Sequence, residues 1–227
     1  MARKEFLSQF VAPPWEPERS EYLVLWHGTT DTARKAIERK IDLARCAVNT
    51  DFGRGFYLTT LERQAKLWAW KMFANRRGKK GANTEERPVV LRFRLRRFSA
   101  TAKRASARFR GLDSLNHLAF VRAAHDNEDF WSLVRHCRSS IPANPRTSCG
   151  AVIRDHRRGS RGRGWYDVAS GPVAAFWEQR VAMADSDQFG FHTPAAIAIL
   201  QDLIVAGTRK ANAGQGDPDF YCWELVT

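Results

Sequence analysis

Apolar and polar positions alternate between two periods along this chain, and the switches between them mark out the elements. The run Tyr22-Leu23-Val24-Leu25-Trp26 predicts a strand that delivers His27 to a turn at Gly28-Thr29-Thr30. A helix is expected over 31–40, capped by Thr30 or Asp31. Thr59-x-x-Glu62 has the form of a capping box. The helix it opens places Ala65, Trp68, Ala69, Met72 and Phe73 on one core-facing stripe and stops at Gly78. From Val89 to Phe98 the period falls to two, with Leu91, Phe93 and Leu95 on one face of a strand and Arg92, Arg94 and Arg96 on the other. Residues 113–138 read as mainly helical, through Leu115, Leu118 and Ala119 and then Phe130, Trp131 and Val134. Short strands are expected at Trp165 to Ala169 and from Gln188 to Phe191, with a Gly171-Pro172 turn and an apolar segment from Val173 to Trp177 between them. Thr193-Pro194 carries the start signature of a helix running from Ala195 to Leu203 and ending at Gly207, and residues 220–226 suit a last strand. Helices and short strands mix without βαβ regularity and without internal repeats, so the expected fold class is α+β.

Composition narrows the setting. At 227 residues and 44% hydrophobic, the chain can bury the core of one domain, expected to span 1–227 with a basic insertion around 76–164. Residues 11–20 are a proline-rich lead-in. The N-terminus lacks the apolar stretch of a signal peptide, and no apolar run approaches membrane-spanning length, so a cytoplasmic protein with no membrane partner is expected. Cys46, Cys137, Cys149 and Cys222 show no metal-site spacing and read as reduced thiols. Net charge is +13, of which residues 76–110 supply +11 and residues 154–164 supply +4, leaving the remainder slightly acidic. Two basic blocks on an ordinary body point to a polyanion partner, nucleic acid first and an acidic protein second. The Arg92, Arg94, Arg96 row suits either a phosphate backbone or a charged guard on an edge strand. Arg157, Arg158, Arg161 and Arg163 stand in a glycine-rich loop that would hold phosphates without reading sequence.

The candidate chemistry sits in two glycine-bearing segments, Trp26-His27-Gly28-Thr29-Thr30 and Asp51-Phe52-Gly53-Arg54-Gly55-Phe56-Tyr57-Leu58-Thr59. An imidazole at a strand end and a phenol beside bare backbone suit a planar, hydroxyl-rich ligand such as a nucleotide, or else describe two tight turns with a buried His and Tyr. His192 reads as structural, Asp167 as a turn residue, Trp68 and Trp70 as packing, and His136-Cys137 as a remote candidate for a nucleophile pair.

These two segments, with Gln64-Ala65, Trp68-Ala69, Tyr166-Asp167-Val168, Gly171-Pro172-Val173-Ala174 and Gln188-Phe189-Gly190-Phe191-His192-Thr193, resemble in order a bacterial family of uncharacterised domains related to ADP-ribosyltransferases. The resemblance covers roughly residues 22–74 and 165–203. It implies two small, facing, mostly antiparallel sheets holding NAD, with catalytic His27, Tyr57 and Gln188. It also implies a cofactor surface of His27, Gly28, Thr29, Phe52, Gly53, Gly55, Phe56 and Tyr57, and no metal. In that scheme His27 binds the adenosine ribose, Gly28 offers backbone to the nicotinamide amide, and Tyr57 stacks on the nicotinamide ring. Gln188 stands where many ADP-ribosyltransferases carry a glutamate for the nicotinamide-ribose 2′-hydroxyl. Glutamine positions that hydroxyl without lending charge to the cation-like transition state; Asp185 and Asp187 could lend it.

The expected function is therefore an NAD-dependent mono-ADP-ribosyltransferase, a toxin or defence effector acting on RNA or single-stranded DNA, with an antitoxin or inhibitor protein as a further partner. Transfer to protein, NAD hydrolysis, and a non-catalytic nucleic-acid-binding module on the same fold are the alternatives.

Overall fold

A computed structural model describes residues 21–77, 86–98, 110–120, 127–139, 166–209 and 223–224. The fold is α+β: among the described residues there are four α-helices and three small sheets. These residues fall into two compact units, one drawing on Glu21, 43–57 and 96–199, the other on 22–42, 58–95 and 200–224.

In the second of these units a sheet runs in the order β1 (Tyr22–Thr30), β3 (Pro88–Arg96), β9 (Leu200–Arg209), β10 (Trp223–Glu224). Helices α1 (Asp31–Arg39) and α2 (Glu62–Arg77) belong to the same unit. The predicted period of β3 is observed, with Leu91, Phe93 and Leu95 buried and the arginines between them half-buried. Thr59 Oγ1 accepts from Leu61 N–H (3.1 Å) just ahead of α2, and Ala65, Ala69 and Phe73 are buried as expected. Trp68 departs from that stripe: it is 53% exposed. Ala65 and Ala69 already bring the helix against Trp26 and Val90, which leaves the indole at the outer margin of the contact. Gly28 sets how close α2 comes, since a Cβ there would lie 2.0 Å from Ala65 O and 2.7 Å from Ala69 N. Only hydrogen fits.

The other unit is built on the sheet β2 (Phe56–Leu58), β8 (Gln188–Phe191), β5 (Val168–Gly171), β4 (His117–Ala119). Beside it lie the two-stranded sheet of β6 (Ala174–Phe176) and β7 (Val181–Ala182), helix α3 (Glu128–Ser139), and helix α4 (Pro194–Ala198). Phe130, Trp131, Leu133, Val134 and Cys137 of α3 bury themselves with Leu118, Phe120, Ala169 and Phe52. Ring contacts knit this core: Phe52 with Phe120 at 6.0 Å, and Phe120 with Phe130 at 5.4 Å.

Two segments differ from what the sequence predicts. Residues 117–119 form a strand, paired in parallel with Val168–Ser170 of β5, and the helix begins only at Glu128. The helix expected to reach Leu203 ends at Ala198, and β9 follows, antiparallel to β3. Thr193 caps α4 as predicted, its Oγ1 accepting from Ala196 N–H at 3.2 Å. Beyond it, ten residues form the strand that pairs with β3, and that ladder outweighs local helix preference. A register irregularity opposite Arg92–Arg94 carries Asp202 at φ 49°.

Candidate functional site

Tyr57 is fixed by the turn that precedes it. Gly53 turns the chain at φ 80°. The Tyr57 hydroxyl then accepts from Phe52 N–H (3.0 Å), donates to Gly53 O (2.8 Å) and lies 2.9 Å from Thr50 Oγ1. Burial pushes the phenol pKa well above its usual value. The hydroxyl is thus fully engaged by the turn, and the ring packs partly buried against the core.

His192 packs beside it, the two rings meeting edge to face at 6.2 Å. Two glycines make its seat: a Cβ at Gly55 would meet His192 Nδ1 at 2.8 Å, and one at Gly190 would meet His192 Nε2 at 2.9 Å and Tyr57 Cζ at 3.1 Å. His192 Nδ1 lies 2.8 Å from the Arg54 carbonyl, which can only accept, so Nδ1 carries the proton. Burial lowers this imidazole's pKa to about 4. Its structural assignment agrees with these contacts.

Gln188 opens β8 and shares a sheet face with Gly190, two residues on. Its Nε2 donates to Asp51 Oδ2 and to Pro172 O (2.9 Å). Asp51, 2% exposed, is the hub: Oδ2 also accepts from Ala174 N–H (2.8 Å), and Oδ1 pairs with the Arg138 guanidinium of α3. The carboxylate that reaches Gln188 is therefore Asp51. Asp185 is exposed, at φ 47°, while Asp187 is buried. Sequence reasoning assigns Asp51 no role of its own. The signal for one is a carboxylate directly ahead of an apolar, glycine-rich segment, where an unpartnered charge would be costly.

Phe52, Gly53, Gly55 and Phe56 thus gather with Tyr57 and Gln188 in one unit. His27, Gly28 and Thr29 lie on β1 in the other, His27 half-buried and Thr29 buried. His27 shares the parity of buried Leu23 and Leu25, opposite the Trp26 and Gly28 face that α2 covers.

The arginine row is largely spoken for. Arg94 pairs with Asp202 at 2.9 Å and stacks on Tyr22 at 4.1 Å, and Arg96 pairs with Glu21. Arg92 is half-buried, its Nε enclosed without a partner. Arg157, Arg158, Arg161 and Arg163 lie outside the described residues. The Cys137 thiol is buried and pushed up to about 12 by desolvation, with the Asp51 charge adding to it, so it is no nucleophile at neutral pH. Trp70 packs on Phe73 at 5.4 Å. Asp167 does more than tie a turn, since its carboxylate accepts from Asn116 N–H (3.0 Å) and from the Thr193 hydroxyl. No described helix is long and apolar enough to cross a membrane.

An α+β chain with a carboxylate-anchored amide beside a tethered phenol is what these contacts define. Residues 23–201 match a family described as protein of unknown function (DUF3990), and the chain belongs to that family. No curated protein and no solved structure matches it.

Proposed function

We propose that this protein is an NAD-dependent mono-ADP-ribosyltransferase whose fold is of the ADP-ribosyltransferase type, with one four-stranded sheet in each unit. The observation that carries the reading is the joint placement of Tyr57 and Gln188. They come from neighbouring strands, the phenol hydroxyl is tethered to the turn that precedes it, and the amide is anchored through Asp51. That pairing suits a flat ring beside a hydroxylated sugar, the reacting half of NAD.

In this reading Phe52, Gly53, Gly55 and Phe56 shape the nicotinamide side, and the roles of His27, Gly28 and Thr29 are those the sequence resemblance implies. Tyr57 supports the nicotinamide ring and Gln188 holds the 2′-hydroxyl of its ribose. The bond from the ribose anomeric carbon to nicotinamide breaks, its electron pair leaving with nicotinamide. The acceptor's lone pair forms the new bond, and the acceptor's proton passes to solvent. The barrier falls because the sugar is held while positive charge develops at its anomeric carbon.

For the acceptor we favour RNA or single-stranded DNA, on the strength of the +11 of residues 76–110 and the +4 of residues 154–164. A toxin or defence role in the cytoplasm, held in check by an inhibitor protein, fits such an activity. The test is to incubate the full chain with labelled NAD and cell lysate, alongside His27→Ala and Tyr57→Ala. Label that nuclease removes, and that both variants fail to transfer, supports the proposal. Label that only protease removes makes the acceptor a protein. Intact NAD with no label sinks the enzyme reading.

A further inference from the structure

We infer that the Asp51 carboxylate and the Pro172 carbonyl lock the Gln188 amide in one orientation, so that position 188 binds a hydroxyl donor and rejects glutamate. An amide has a donor end with two hydrogens and an acceptor end with none. Gln188 Nε2 lies against two groups that only accept, Asp51 Oδ2 and Pro172 O. Both hydrogens are used there. Turning the amide over would press Oε1 against a carboxylate and a carbonyl with no proton between them, so the orientation follows from the neighbours.

Asp51 cannot swing away to relieve such a clash. Arg138 holds its other oxygen, and Ala174 N–H holds the oxygen that Gln188 uses. Gln188 keeps 8% of its surface, and Oε1 is the end of the amide that Asp51 and Pro172 leave unengaged. A carbonyl oxygen takes a hydrogen bond from a hydroxyl or an N–H and repels another acceptor. Identifying that hydroxyl as the nicotinamide-ribose 2′-hydroxyl rests on the NAD reading above; the orientation of the amide does not.

The same geometry explains why a glutamine stands here. A glutamate would set its carboxylate against Asp51 and Pro172 O, where Arg138 pairs with Asp51, Cys137 and Tyr57 feel the Asp51 charge, and Asp187 is the adjacent residue. Arg138 is the one cation among them, and Asp51 already engages it. A glutamate at this position would therefore fold protonated, with a pKa raised above its unfolded value of about 4.3. A raised carboxyl pKa leaves stability intact below the unfolded value and removes it as pH rises toward the folded-state pKa.

The experiment compares the full-length wild type with Gln188→Glu and Gln188→Met by thermal unfolding from pH 5 to pH 8, with and without NAD. The expected result is a Tm gap between wild type and Gln188→Glu that widens as pH rises. The gap for Gln188→Met should stay flat, and NAD should bind Gln188→Glu about tenfold or more weaker than wild type at pH 8. A flat gap for Gln188→Glu, or NAD binding at pH 8 equal to or better than wild type, overturns the inference. Should Gln188→Glu not fold at any pH, amide hydrogen exchange in the wild type decides. Both Gln188 side-chain protons must then exchange slowly, and fast exchange rejects the lock. A widening gap in a protein whose wild type NAD does not stabilise keeps the lock and removes the NAD reading.

Discussion

His117 and His192 are both held neutral by burial, which lowers each pKa to about 4. His117 shares a 2.8 Å bond with Ser170 Oγ, and His192 bonds the Arg54 carbonyl. The unfolded chain binds protons at these rings near pH 6.5, the folded chain only near pH 4, so acid favours unfolding across that window. Stability should be fully present above about pH 6.5 and fall by on the order of 3 kcal/mol per histidine by about pH 4. Denaturant titrations at stepped pH measure the loss, and His117→Asn should remove one share of it. Tyr57 tests the same burial from the other side: its phenol stays protonated, so Tyr57→Phe should leave the alkaline tyrosinate absorbance of the folded protein unchanged. The same substitution strands Phe52 N–H and should cost about 1–3 kcal/mol by denaturant unfolding. Tyr57 and Gln188 stand out in the sequence because glycines and strand patterns flank them. Asp51 carries a weaker mark, a carboxylate ahead of a glycine-rich segment, which says that it needs a partner but not which one. Its meaning comes from Gln188, 137 positions away, Ala174 at 123 and Arg138 at 87, and no window along the chain holds all four.

Elements whose information is local are the ones legible in the sequence. The arginine–apolar alternation of β3 and the alanine spacing of α2 each write their burial into a short window. β4 and β9 do not. Three residues from His117 become a strand because β5 offers a parallel partner, and the run after Ile199 becomes β9 because β3 needs an antiparallel one. The Thr193-Pro194 signal is sound for where α4 begins and silent about where it ends. Gly28 is the sharpest test at this scale. Its place beside His27 suggests access for a ligand, whereas the observed demand on it is helix packing: Gly28→Ala drives a methyl into the α2 backbone. Backbone cannot rotate away as a side chain can. The substitution should therefore destabilise by about 3 kcal/mol or more, read as a lower denaturant midpoint with an unchanged slope. Thr193→Ala, which removes the α4 cap and the bond to Asp167, should cost about 1 kcal/mol in the same assay.

Across the whole molecule the question is which of its 37 Lys and Arg residues remain to meet a polyanion. An arginine already paired with a carboxylate releases fewer counterions on binding, because it must first exchange one anionic partner for another. Arg94 and Arg96 are in that position, with Asp202 and Glu21 as their partners. No carboxylate shares the glycine-rich stretch with Arg157, Arg158, Arg161 and Arg163 except Asp155, so formal charge there is nearly all positive. If the protein binds single-stranded nucleic acid as proposed, changing those four arginines to alanine should weaken binding whatever the sequence. The slope of log K against log salt should then flatten by up to about 0.7 for each phosphate no longer neutralised. Changing Arg94 and Arg96 together should leave the slope nearly as it was and act mainly on stability. Fluorescence anisotropy with a short RNA across a salt series separates the two sets. The reverse ranking, with Arg94 and Arg96 carrying the slope, would mean that their ion pairs open on binding and that the β3 row is the phosphate track. No slope from either set would remove nucleic acid as the acceptor and return the choice to a protein side chain or water.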